Sequence, residues 1–272
     1  MKTTQRLLVV FAAALVMLSS VGCAKLKARD HLNKGVQAYK NSKFEQAIDH
    51  FQQADALDPT LINARLYLAT AFAQQYIPGL DTLENNKFGE QAIDQYKQVL
   101  EVDSRNINSI KGIAYLYLQM KKFSLAKEYY KKASEADPND PEPYYSVAVI
   151  DWTQTYVPRQ EERAKLGMKP DESLPARDKK VCATIKEKNT PNIQEGIDNL
   201  NKALQLRPDY DDAMAYLNLM YRERADVQCD DPSARSADLK TADEWVDKTM
   251  AIKKKKAEKQ PGAGGIVLDQ KQ

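Results

Sequence analysis

The chain has 272 residues, with 40 Lys+Arg against 38 Asp+Glu and a formal charge of +2. Apolar residues make up 43% and charged residues 29%, which is the composition of a chain that folds in water, not of a disordered or multi-spanning one. The near balance of charge argues against a nucleic-acid binder, which needs a basic face to neutralise phosphates.

The first element in chain order is an address rather than a fold. MKTTQR carries Lys2 and Arg6, and the apolar run Leu7–Leu18 follows. A run of about 12 residues falls within the ~7–15 of a signal-peptide core and short of the ~20 that span a bilayer. Ser19, Ser20, Val21 and Gly22 then lead into Cys23. This stretch resembles a bacterial lipoprotein signal, in which a small-residue box precedes a cysteine that is lipidated and becomes the new N-terminus. Ser20 stands where that family usually has Leu. The resemblance implies a signal peptide over 1–22, lipidation of Cys23, and a short linker over 23–27. With Ala24 next to the cysteine, it also implies sorting to the outer membrane, facing the periplasm. The alternatives are an ordinary secretory signal cut near Gly22, with Cys23 incidental, and a retained anchor. Removing Lys2 and Arg6 leaves acids and bases in balance. Membrane attachment then rests on acyl chains, at ~0.8 kcal/mol per buried methylene and with more than one chain needed.

A repeat organises the residues after this segment. Residues 34–59, KGVQAYKNSKFEQAIDHFQQADALDP, and 114–138, AYLYLQMKKFSLAKEYYKKASEADP, share one pattern. Each has an apolar helix, a short polar turn with Lys-Phe, then Ala-x3-aromatic-x2-Ala-x4-Pro. The pattern closely resembles the tetratricopeptide repeat (TPR), two antiparallel helices per unit. That resemblance implies an all-α TPR superhelical solenoid of about five helical hairpins over 28–256. The copies lie near 28–61, 62–106, 107–140, 141–210 and 211–256. Gly35, Ala47 and Ala54 are the small sites of the first copy. Ala69, Ala92 and Val99 follow in the second, Ala114, Ala126 and Ala133 in the third, and Ala148, Gly196 and Ala203 in the fourth. Small side chains there let neighbouring helices approach closely. Phe51, Tyr96, Tyr130 and Leu200 fill the gaps, and Pro59, Pro138 and Pro208 stop second helices. The fifth copy is degenerate, with Asn218, Ala242 and Thr249 at its small sites, as suits the end of a solenoid.

Spacing places inserts between the two helices of repeats two, four and five. Pro78, Pro158, Pro170, Pro175, Pro191 and Pro232 fall in them, which favours loops, with 160–166 and 176–188 as candidate short helices. Two inserts open alike, Tyr76-Ile77-Pro78 and Tyr156-Val157-Pro158. Each reads either as a helix stop with an aromatic over the helix end or as half of a paired aromatic rim for a partner. The tail over 257–272 is Gly-rich and expected to be disordered. Lys253–Lys256 just before it read as a solvated helix end, or as a contact for anionic lipid or polymer.

With Cys23 assigned to lipid, Cys182 and Cys229 remain as an even pair, in the inserts of neighbouring copies. An exported compartment permits a disulfide between them; the alternative is two unrelated thiols. His31 and His50 are the two histidines, and they fit no metal pattern. No phosphate loop and no nucleophile elbow occurs. The chain therefore reads as a binding protein rather than an enzyme, with no cofactor. Its alternatives are an enzyme subunit or a solute- or polymer-binding protein using 156–191.

In TPR proteins the first helices line a concave groove. Mapped by position, the resemblance assigns Tyr39, Lys40, Asn63, Leu66, Gln74, Asn108, Lys111, Tyr115, Gln119, Tyr145, Trp152 and Arg222 to it. Aromatics with amides suit an extended peptide: rings supply area at low entropy cost and amides pair with backbone. The basic clamp of chaperone-type repeats is not reproduced, because Leu32, Val36, Leu66 and Thr70 stand at its positions and Lys111 alone fits. The expectation is a protein-interaction scaffold in a bacterial envelope, with protein or peptide partners and a membrane reached through the lipid. The assembly of outer-membrane proteins, pili or secretins, or cell-wall machinery are roles known for TPR lipoproteins.

Overall fold

The computed structural model describes residues 22–169 and 172–259. Most of the expected signal segment and the tail beyond residue 259 lie outside them. Among the described residues there is no strand; the chain is a succession of helices joined by short turns. In chain order these are α1 (22–40), α2 (Phe44–Leu57), α3 (Ile62–Gln75), α4 (Leu83–Val102), α5 (Ile107–Gln119) and α6 (Phe123–Ala136). Then come α7 (Glu142–Lys165), α8 (Leu174–Arg177), α9 (Lys179–Leu206), α10 (Asp211–Asp226) and α11 (Pro232–Lys259).

The helices form two compact units, one up to Ala136 and one from Asp137. The first holds three hairpins, α1–α2, α3–α4 and α5–α6, with α2 also packed on α3 and α4 on α5. The second holds α7–α9 and α10–α11, with α7 beside α10 and the short α8 against α9.

The small residues explain the close packing. Ala47, Ala54, Ala69, Ala92, Val99, Ala114, Ala126, Ala133, Ala148, Ala203 and Ala242 are all fully buried. Phe51, Tyr96, Tyr130 and Leu200 fill the spaces between them and are buried too. At Gly35 a Cβ would lie 2.5 Å from the Phe51 ring, so glycine lets α1 sit on that ring. At Gly196 a Cβ would run into Met220. The ends of helices follow local chemistry. Thr82 and Asn106 accept backbone N–H groups of Asn85 and Ser109 at 3.2 and 3.1 Å, and Asp178 accepts from Lys180 and Val181 at 2.9 and 3.0 Å. Two hairpin turns are built alike: Ser42 and Lys121 sit at φ 58° and 56°. The next residues, Lys43 and Lys122, donate back to the carbonyls of Ala38 and Tyr117 at 2.9 and 2.8 Å, closing each first helix with a left-handed cap.

Several expectations are corrected. Residues 23–27, expected as a linker, are part of α1; Ala24, Leu26 and Lys27 are good helix formers with no breaker among them. The Tyr156-Val157-Pro158 segment, unlike Tyr76-Ile77-Pro78, does not stop its helix: α7 runs on to Lys165 with Pro158 inside it, and α9 likewise carries Pro191. The fourth insert is therefore mostly the lengthening of two helices, and 160–166 and 176–188 are not separate short helices but largely belong to α7 and to α9 with α8 before it. Pro158 removes the N–H that would reach the Gln154 carbonyl. Alongside, Asn189 of α9 donates to the Thr155 carbonyl at 3.0 Å, so a neighbouring helix supports the backbone at the break. The fifth insert shrinks to 227–231, with Pro232 as the first residue of α11, where its missing N–H leaves nothing unsatisfied. Residues 257–259, placed in the tail by sequence, are still helical.

Candidate functional site

The first helices of the hairpins are α1, α3 and α5 in one unit and α7 and α10 in the other. In the first unit, Lys40, Asn63, Gln74 and Asn108 are exposed. Leu66, Lys111 and Gln119 are half-buried, and Tyr115 is 51% exposed, a large ring open to solvent. Tyr39 is half-buried and packs edge-on against Phe44 of α2 at 5.4 Å. Behind this face, Thr70 of α3 donates to the Leu66 carbonyl at 2.9 Å and lies 3.2 Å from the Tyr96 hydroxyl of α4. The face is polar and amide-rich, with one exposed aromatic.

The insert of the second repeat, residues 76–82, is tied down by the buried Asn85. Its Oδ1 accepts the Ile77 N–H at 2.7 Å, and its Nδ2 donates to the carbonyls of Ile77 and Leu80 at 2.9 and 2.7 Å. The loop thereby holds Ile77, Leu80 and Leu83 out in solvent. A depression of about 480 Å³ beside it is lined by Tyr76, Leu80, Gln119, Met120 and Lys122. A larger one, about 580 Å³, lies between α4 and α6 and includes Arg105, Ile110 and Tyr129. Of the residues assigned to the groove, these two depressions include Gln119 alone.

The second unit is different, because its first helices assemble rings. Tyr145 and Trp152 of α7 both meet Tyr216 of α10 edge-on, at 5.5 and 5.6 Å between centroids. Trp152 stacks on Tyr156 at 4.7 Å and 22°, and Tyr145 leans on Tyr210 at 5.0 Å. The result is a continuous run of five rings, Tyr210–Tyr145–Tyr216–Trp152–Tyr156, with Tyr210 buried in the core and the other four half-buried as a ledge. Tyr145, Trp152 and Tyr216 rest on the apolar core beneath and keep one side outside it. Of the predicted residues, the structure brings Tyr145 and Trp152 together through Tyr216. It leaves Arg222 engaged elsewhere, on Asn218 at 2.8 Å and on Asp243 of α11 at 2.7 Å. Burial holds the phenols of Tyr145 and Tyr210 well above their usual value near 10.0, with Tyr216 and Asp212 adding to it at Tyr145 and Glu142 at Tyr210. Tyr216 is raised for the same first reason.

Sequence reasoning missed Tyr216 and Tyr210, and read Tyr156 either as part of a helix stop or as half of an aromatic rim. The signal was present: Tyr145, Trp152 and Tyr156 are seven and four apart, one face of a helix. It becomes readable once Pro158 is allowed inside that helix.

Below the ledge the insert is locked. Arg159 grips Glu223 with Nε and Nη2 at 2.8 and 2.6 Å and Asp226 with Nη1 at 2.6 Å. Burial weakens the Arg159 charge, but the two carboxylates outweigh it and hold the guanidinium above its ordinary value. Arg163 donates to the carbonyls of Glu172 and Lys169 at 2.8 and 2.6 Å, fixing the turn after α7. Cys182 of α9 is joined to Cys229, after α10, in a disulfide with Cα atoms 5.8 Å apart. Cys23, by contrast, is exposed on α1. In the C-terminal lysine run, Lys256 pairs with Asp211 at the start of α10. Among the described residues no group of three or more His, Cys, Asp or Glu converges on a point, and no helix is long and apolar enough to cross a membrane.

Helical hairpins stacked through small residues define an all-α solenoid of the TPR type. The tetratricopeptide-repeat family pattern matches residues 112–140. Among solved structures, that of a MamA protein aligns with a TM-score of 0.57 at 12% identity, covering 88% of this chain and 98% of that one. YrrB, described as a TPR protein with an unusual peptide-binding site, aligns with a TM-score of 0.50 at 13% identity, covering 84% and 90%. A DnaJ homolog subfamily C member 3 homolog from Dictyostelium discoideum is 23% identical over 177 residues, 65% of this chain. The chain spans about a third of the length of that curated relative, 34%.

Proposed function

We propose that the chain is a non-catalytic scaffold that grips an extended segment of a partner protein on its first-helix faces, with the aromatic ledge of α7 and α10 as the main grip. The observation that carries this is the run of five rings from Tyr210 to Tyr156, two of them on the face where a TPR solenoid binds. A preformed ledge of rings binds chain with little ordering cost, and the amide-rich face of the first unit suits peptide backbone in its own right. YrrB, which has the same fold, is described as having a peptide-binding site.

The scaffold is exported and lipid-anchored at Cys23 in the outer membrane, facing the periplasm. The basic, apolar and small-residue succession of 1–22 supports this. So does the Cys182–Cys229 bond, which belongs to an oxidising compartment. Anchoring raises the partner's effective concentration at the membrane without new contacts.

Deleting 156–191 is a poor test, because those residues complete α7 and α9 and hold half of the disulfide. Trp152→Ala and Tyr216→Ala are better, with circular dichroism as the check on folding. Pull-down from detergent-solubilised envelopes is expected to recover a stoichiometric protein partner with the parent, reduced at least ~10-fold in either variant, since a ring at the centre of an interface contributes about 2 kcal/mol. Saccharide binding or substrate turnover with no protein partner would overturn the scaffold reading. Fatty-acid labelling that Cys23→Ser abolishes is expected; an unlabelled parent defeats the anchor.

A further inference from the structure

The chain's two histidines, 19 positions apart, meet in the structure. His31 on α1 and His50 on α2 are half-buried, with Nδ1 atoms 3.3 Å apart, ring centroids 5.4 Å apart and planes inclined at 50°. Two neutral imidazoles so placed can share one proton, if one ring carries its hydrogen on Nδ1 and the other does not. They can equally aim two lone pairs at one electrophile. The second arrangement has a definite bite: ligands ~2.0–2.1 Å from a tetrahedral ion stand about 3.3–3.4 Å apart. The observed separation matches that edge.

We propose that His31 and His50 form a binding site for a borderline divalent transition-metal ion, Zn²⁺, Ni²⁺ or Cu²⁺, held through both Nδ1 atoms, with water in the remaining positions. Imidazole is the ligand these ions share, whereas Mg²⁺ and Ca²⁺ take oxygen and are refused. With two protein ligands the ion is exchangeable rather than structural. Its effect is to clip α1 to α2. Asp30, beside His31 in sequence, is a carboxylate to consider as an added ligand. Lys34 holds it at 2.7 Å. Bound metal therefore competes with that ion pair for it.

The test uses the untagged full-length protein, since a purification tag of histidines would mask the site. Titration calorimetry with Zn²⁺ is expected to show one ion per chain and no heat with Mg²⁺. Saturating Zn²⁺ is expected to raise Tm by several degrees, reversed by EDTA. Either His31→Ala or His50→Ala should abolish both. A second measurement needs no variant. The chain gives two imidazole Hε1 resonances, and substoichiometric Cu²⁺ should broaden both together while tyrosine resonances of the other unit stay sharp. Binding that survives both substitutions, or histidine resonances that stay sharp or broaden one without the other, would overturn the site.

Discussion

At the scale of single residues, two positions sit where the backbone disfavours them. Ser42 and Lys121 occupy the left-handed region that closes a first helix, at φ 58° and 56°. A side chain there costs about 1 kcal/mol that glycine avoids. Ser42→Gly is therefore expected to stabilise by about 0.5–1 kcal/mol, read from the urea midpoint, with Lys121→Gly acting alike and additively. A loss of stability in both would mean the serine and lysine side chains contribute contacts that outweigh the strain. The tyrosine ledge sets a second expectation. The phenols of Tyr145, Tyr210 and Tyr216 are raised above 10.0 by burial, so the folded chain keeps them neutral where the unfolded chain ionises them. Their contribution is whole below pH 10 and is lost as pH rises through their folded values. Stability should fall above pH 10 by up to ~1.4 kcal/mol per pH unit for each such phenol. Tyr145→Phe should flatten that slope. Full tyrosinate absorbance from all 14 tyrosines at pH 11 in a still-native protein would contradict it.

At the scale of elements, the hairpin of α7 and α9 is the unusual one. At 24 and 28 residues these helices are about 36 and 42 Å long, against about 24 Å for the 16 residues of α10. α10 of the next hairpin lines α7 from Tyr145, beside Tyr210, to Arg163, beside Asp226. The end where they turn back is held by Arg159 on Glu223 and Asp226, by Arg163 on two carbonyls, and by the Cys182–Cys229 bond. Closing a separation of 47 residues stabilises by roughly 3–4 kcal/mol in the chain-entropy account. Reduction, or Cys182→Ser with Cys229→Ser, should lower the stability of the second unit by about that much and speed amide exchange over 166–185. The first unit should be unaffected. Equal exchange in oxidised and reduced protein would show that the buried ion pairs suffice alone.

At the scale of the molecule, stacking rules were legible in the sequence and the use made of them was not. Small residues at fixed spacing announced the hairpins, because a helix pair can close only where alanine or glycine allows it; Ala47, Ala126 and Ala133 are fully buried. Pro158 and Pro191 misled, since proline forbids one N–H but not a helix whose neighbour supports the break. The ring ledge was half legible. Tyr145 and Trp152 came from position in the repeat, whereas Tyr216 required knowing which helix lies beside α7. The Arg159 cluster and the histidine pair were out of reach, because each joins residues whose meeting depends on how hairpins fold back. Local pattern encodes the hairpin, while side-chain partnerships across helices arise only after packing.

The length of α7 and α9 also has a mechanical side. A stacked array stiffens each hairpin through its neighbours, and the end where two long helices turn back depends most on what fastens it. That end here behaves as a beam tip fastened to its neighbour by a covalent strut and charged rivets. Cut the strut, and the beam should sag without the building falling.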